Sequence, residues 1–298
     1  MCDVLVALGP STLHGLTLFA KNSDRPPGER QVVEHVDARH DTTEISATHI
    51  RVAPHPGPTR PCVISRPSWG WGAEHGVNVD GVAIGNTTVY TTLDPRGAEP
   101  GLTGMDLVRL GLERSGTAAD AVEVITSLLV EHGQGGSGHD PAAGRERPYW
   151  NSFLVADPTT AYVIDTSGRD FAVEEVVSTR AISNRTSIPA FDAQNRHPRQ
   201  PVERLVDPRL AASDAVLARG GVTPDLLAGH LRSHDSCGEP GWSVCMHVDG
   251  VEVTTSSMIA ELATGGRSVL WLLTGSPCAR EYRRVTVADA ASADLSGV

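Results

Sequence analysis

Aromatic residues are scarce in this chain: 4 Phe, 5 Trp and 4 Tyr among 298 residues. The core must therefore be built mainly from Val, Leu, Ile and Ala. Positive charge is also short, with 25 Lys and Arg against 36 Asp and Glu and a formal net charge of -11. That balance argues against nonspecific nucleic-acid binding, which needs a basic face to displace phosphate counterions. It gives no special attraction to anionic membranes either. No apolar run approaches the roughly 18 residues that span a bilayer. The apolar Val4–Leu8 stretch follows Asp3 and ends at Gly9-Pro10, far short of a signal-peptide core, so a cytoplasmic address is expected. The five cysteines, at 2, 62, 237, 245 and 278, are odd in number and scattered. They read as reduced thiols rather than a disulfide framework.

What is present alternates strand-like and helix-like segments. Residues 4–20 read as a hairpin turned by Gly9 to Gly15, with Lys21 to Pro27 leaving the sheet. Residues 53–61 are a proline-rich loop, and 81–86 a short strand. Thr103 and Thr117 cap two helices. The second carries Ala121, Val122, Ile125, Leu128 and Leu129 at helical spacing and stops at Gly133. Gly133 to Gly144 reads as a mobile glycine-rich loop without the Gly-Lys-Ser/Thr of a phosphate loop. Strands follow at 153–156, 161–165, 171–177 and 181–183, a helix from Pro224 to about Arg232, and strands at 245–253 and 268–274. The whole reads as an α+β sandwich, one domain over 1–285 with a polar tail at 286–298 that frays.

Position 2 carries the chemistry. Initiator methionine is commonly removed before a small residue, and Cys2 would then join a thiol and a free α-amine on one residue. An α-amine with a pKa of about 7.7–8.0 is suited to take the thiol proton and return it to a leaving amine. On position alone, Cys2 reads first as a small residue opening an edge strand. Asp24 read alone caps a turn beside Pro26, Lys21 is a solvated charge, and Asn86 and Asn184 end strands by bonding to backbone.

The company of Cys2 changes that balance. Cys2-Asp3-Val4-Leu5-Val6-Ala7-Leu8 followed by Lys21-Asn22-Ser23-Asp24-Arg25-Pro26 resembles the opening of the secernin family. Secernins belong to the cysteine N-terminal-nucleophile (Ntn) hydrolases, with the C69 dipeptidases, bile-salt hydrolases and penicillin V acylases. The resemblance continues in order through Trp71–Asn78, Gly81–Asn86, Gly104–Leu110, Gly133–Gly136, Asn151–Leu154, Ile182–Asn184 and Thr254–Ile259. It implies an αββα four-layer fold with two antiparallel sheets between helix layers. It implies Cys2 as nucleophile, Asp24 as the acid holding the N-terminal amine, and Lys21 in the place of an arginine near the thiol. Asn86 resembles the oxyanion donor and Asn184 the asparagine that orients the nucleophile. Lys at 21 replaces a planar fork by a point charge, and Val79-Asp80 and Thr87 depart from the family's usual residues around Asn86. The implied activity is hydrolysis of a small amide or dipeptide with no metal or organic cofactor. Acyl transfer and a non-enzymatic scaffold, possible within a homo-oligomer, are the alternatives.

His234, Cys237, Cys245 and His247 form a His-x2-Cys-x7-Cys-x-His group. Without paired Cys-x2-Cys knuckles it reads as ordinary packing, with His247 lining a pocket, rather than as zinc. Ser236, His234 and Asp235 are too close in sequence to converge as a triad.

Overall fold

Cys2–Ala7 forms the first strand of the protein, whose structure, a computed structural model, describes residues 1–298 apart from 42, 145, 236–238 and 296. This strand pairs antiparallel with Leu18–Arg25, from Cys2 opposite Ser23 to Ala7 opposite Leu18. The hairpin is longer than its apolar residues indicate. Lys21 to Arg25 stay in the sheet, and the chain leaves only at Pro26. The reason is a partner on the far side: Glu252–Glu261 pairs with Leu18–Arg25, so the backbone of these polar residues is satisfied from both edges.

The first sheet runs Thr179–Ile182, Cys2–Ala7, Leu18–Arg25, Glu252–Glu261, Val269–Thr274, Arg283–Thr286, with His247–Val248 beside Glu252–Glu261. The second runs Asp170–Glu175, Ala161–Ser167, Trp150–Ala156, Ala83–Val89, His75–Asn78, Cys62–Pro67, Gln31–Val36. Strand pairings within both are antiparallel.

The first strand is apolar on every residue from Val4 to Leu8 because both its faces are covered. Val4 and Val6 meet Phe19, Val163, Met258 and Leu270 between the sheets. Leu5 and Ala7 join Leu217, Leu227 and Leu231 of the helices Asp207–Leu217 and Pro224–Leu231 on the outer face. Continuous rather than alternating hydrophobicity is what a strand buried on two sides requires. On the other flank, Gly104–Arg114 and Ala118–His132 lay Leu107, Leu110, Ala121 and Ile125 over Ile84, Phe153 and Ile164. Thr103 and Thr117 both form capping boxes, with Asp106 and Asp120, and Gly133 ends the second helix at a φ of 73°. The result is the four-layer αββα sandwich.

Three further segments differ from the sequence reading. The run 245–253 is not one strand: Asp249-Gly250 turns the chain, with Gly250 at a φ of 68°, between His247–Val248 and the ten-residue Glu252–Glu261. The chain end does not fray either. Val287 and Ala290 of a short helix, with Leu295 and Val298, are buried in the inter-sheet core. The glycine-rich loop is packed, Gly136 against His49 and Gly138 against Tyr149. Among the described residues no helix is long and apolar enough to cross a membrane.

Candidate active site

Strand parity decides what surrounds Cys2. Cys2 lies on the same face as Val4 and Val6, toward the second sheet. Lys21 and Ser23, opposite Val4 and Cys2, point the same way, while Asp3, Asn22 and Asp24 point to the helices. Lys21 is fully buried. Its aliphatic stem passes Gly85, where a Cβ would lie only 2.9 Å from Lys21 Cδ. Its ammonium then donates to the Glu74 carbonyl at 2.6 Å, to Glu74 Oε2 at 3.4 Å and to Asn86 Oδ1 at 3.0 Å. Three protons meet three acceptors, which is how a lysine tolerates complete burial.

Cys2 Sγ lies 4.0 Å from Glu74 Oε2. Burial pushes the thiol above its ordinary pKa; Lys21 and the N-terminal charge pull it down, and Glu74 and Asp24 push it up again. Glu74 itself is held below its usual range, because Lys21 and Arg25 outweigh the burial that opposes ionisation. Cys2 is thus a thiol beside a carboxylate, and would need a base to become a thiolate.

The backbone nitrogen of Cys2 donates to Asn184 Oδ1 at 2.9 Å. Arg209 Nη2 donates to the same oxygen at 2.8 Å, and Asn184 Nδ2 donates to the Thr88 carbonyl at 3.0 Å. Two donors on one side and an acceptor on the other fix the amide's orientation. Arg209, fully buried, also donates to Asp3 Oδ2 at 2.6 Å. Asp24 Oδ1 accepts from Thr254 Oγ1 at 2.6 Å, but its Oδ2 has no hydrogen bond and stands 3.9 Å from Arg209 Nη1. Burial raises the Asp24 carboxyl to about 7, against the pull of the N-terminal charge and Arg209.

Asn86 lines the same cavity. Its Nδ2, however, donates to Asn151 Oδ1 at 3.0 Å, and Asn151 Nδ2 donates to Gln134 Oε1 at 2.8 Å. With Lys21 occupying Oδ1, both ends of the Asn86 amide are engaged in this state.

Met1 lines the site, whose cavity is about 30 Å³, room for a single water. Its main chain adds one residue to the sheet: the Asp24 N–H donates to the Met1 carbonyl at 2.7 Å, and the Met1 ammonium donates to the Asp24 carbonyl at 2.8 Å. The ammonium also donates to the Glu252 carboxylate, whose other oxygen accepts from Arg147 Nη1 at 3.1 Å. Glu252 is held below its usual pKa by that ammonium and by Arg147, despite burial.

Cys2, Asp24, Asn86 and Asn184 thus line one small cavity, and Lys21 lies behind it, bonded to the cavity-lining Glu74 and Asn86. Sequence reasoning did not single out Glu74, Glu252, Arg147 or Arg209. Glu74 sits inside the Trp71–Asn78 motif, where it was readable. Arg209 carries no local signal; it is one arginine on a helix of mixed polarity. His247 does not line this cavity, and Ser236 and Cys237 lie outside the described residues.

No family model matches the chain. Two variants of the conjugated bile acid hydrolase from Clostridium perfringens superpose on it with TM-scores of 0.55 and 0.53, each at 10% identity. The alignments cover 100% and 95% of this chain and 94% and 96% of theirs. The Caenorhabditis elegans ortholog of N-acylethanolamine-hydrolyzing acid amidase superposes at a TM-score of 0.51 and 12% identity, over 91% of this chain and 100% of its own. These likenesses establish the Ntn-hydrolase fold.

Proposed function

We propose that this chain is an N-terminal cysteine amide hydrolase of the secernin type, acting after loss of Met1, and that its substrates are dipeptides or similar small amides with a free α-amine. One observation carries the reading. The Cys2 nitrogen, which removal of Met1 turns into an α-amine, is already held by Asn184 on the residue that bears the thiol, and Asp24, whose Oδ2 accepts no hydrogen bond, lines the same cavity.

In this reading the α-amine accepts the Sγ proton and the thiolate attacks the substrate carbonyl. Asn86 turns its Nδ2 from Asn151 to the developing oxyanion, an interaction worth about 2.7–4 kcal/mol in hydrolases of this chemistry. The α-ammonium then protonates the leaving amine. The acyl-thioester is cleaved by a water whose proton the same amine takes. Asp24 and Asn184 hold the amine, and Lys21 supports the thiolate electrostatically. The free-amine preference rests on Met1. Its ammonium sits on Glu252 and the Asp24 carbonyl, and its departure leaves those acceptors for the ammonium of a substrate's first residue.

Intact-mass measurement on purified protein, with turnover of a panel of dipeptides and N-acyl amino acids by wild type and Cys2→Ala, tests the proposal. The expected result is loss of Met1, turnover by wild type and none by Cys2→Ala. Full activity with Met1 attached, or equal activity in Cys2→Ala, refutes it.

A further inference from the structure

A second cluster lies apart from the Cys2 cavity. His234 follows the helix Pro224–Leu231, Cys245 and His247 sit at the start of the edge strand His247–Val248, and Cys278 lies in the loop after Val269–Thr274. One ligand atom from each of these four falls within 4.8 Å of all the others. His247 Nε2 is 3.4 Å from Cys245 Sγ and 3.3 Å from Cys278 Sγ. The rings of His234 and His247 stand 5.1 Å apart at 76°.

We propose that His234, Cys245, His247 and Cys278 form a tetrahedral Cys2His2 zinc site. Zinc–sulfur bonds of about 2.3 Å and zinc–nitrogen bonds of about 2.05 Å at tetrahedral angles separate a sulfur from a nitrogen by about 3.5 Å. The two separations of 3.4 and 3.3 Å lie within about 0.3 Å of that value. Hydrogen bonding explains them less well, because a single imidazole nitrogen has one proton or one lone pair and here faces two sulfurs. Both thiols lose their protons to solvent on binding. Two thiolates and two neutral imidazoles then balance the dication, and with all four positions filled by protein the site is structural rather than catalytic.

The sequence reading favoured ordinary packing for want of paired Cys-x2-Cys knuckles, and its group held Cys237 where the fold supplies Cys278. The fold brings Cys278 to the cluster from 31 residues beyond His247. The site also stands next to the chemistry. Met246, between two ligands, donates its N–H to Thr254 Oγ1 at 2.8 Å, and that hydroxyl donates to Asp24 Oδ1. A metal here fixes the segment that positions Asp24.

The experiment is metal analysis of the full chain purified with reductant and equilibrated with zinc, then with cobalt. We expect one equivalent of zinc per chain and, for cobalt, the visible bands of a tetrahedral thiolate site. Stoichiometry should fall to background in Cys278→Ser and His247→Ala, persist in Cys2→Ala, and chelation should lower Tm. Because a ligand variant can fail to fold, protection of Cys245 and Cys278 from alkylation by zinc in the wild-type chain provides an independent readout. Absence of stoichiometric metal in the reduced wild type, full retention in both ligand variants, or unchanged alkylation of the two thiols overturns the proposal.

Discussion

Glu252→Gln isolates the ammonium subsite. The carboxylate is only 5% exposed, accepts from the Met1 ammonium and is braced by Arg147. Glutamine keeps the shape and removes the charge. Arg147, whose side chain is 42% exposed, remains solvated, so the fold loses little. At an effective dielectric constant of about 20, an ion pair at 4 Å is worth about 4 kcal/mol, an upper bound. Hydrogen bonds to charged groups contribute about 1.5–3 kcal/mol net. The variant should therefore lose about 10- to 150-fold in kcat/KM on a dipeptide with a free α-amine. The same dipeptide N-acetylated gives Glu252 no cation to hold, so its kcat/KM should be nearly unchanged. Measuring both substrates on both proteins separates recognition from damage. An equal fall on the two substrates would assign Glu252 a purely structural role, and no fall on either would refute the subsite.

Arg209→Leu strands the buried Asp3 carboxylate and frees the Asn184 amide, so denaturant unfolding should show a loss of about 3–5 kcal/mol; a loss below about 1 kcal/mol would mean these groups find other donors. His75 is fully buried, with Ser23 Oγ 3.2 Å from its Nδ1, and burial, aided by Lys21, holds its pKa well below 6.5. Below pH 6.5 the unfolded chain gains a proton the folded chain refuses, so stability falls as pH drops, by about 1.4 kcal/mol per unit from this group. Equilibrium unfolding across pH 5 to 7 should show a flatter slope in His75→Gln, and identical slopes would exclude His75 as the source.

The sequence exposed most of the frame for identifiable reasons. Both threonine caps, the Gly133 stop and the first hairpin are local features, written in adjacent residues. Cys2 stood out through its position and the ordered motifs around it. The failures have a shared cause. Lys21 to Arg25 look like a polar exit from a sheet because Lys21 and Asp24 are satisfied by Glu74, Asn86 and Thr254, partners that only the fold supplies. Arg209 and Cys278 reach their clusters by tertiary contact alone, and nothing in their neighbours announces it. The tail at 286–298 read as fraying because two apolar residues, Leu295 and Val298, were outnumbered by small polar ones.

On the proposed function, the seating of Met1 sets an order of events. Its ammonium is buried between Asp24 and Glu252, and its peptide bond to Cys2 lies inside the sheet. An aminopeptidase needs that amine and that bond in solvent. The proposed trimming would therefore compete with folding: trimming first yields an open site, whereas folding first shelters the bond whose cleavage the proposal requires. Maturation is in this sense a race, and a chain that loses it must open its first hairpin before it can be completed.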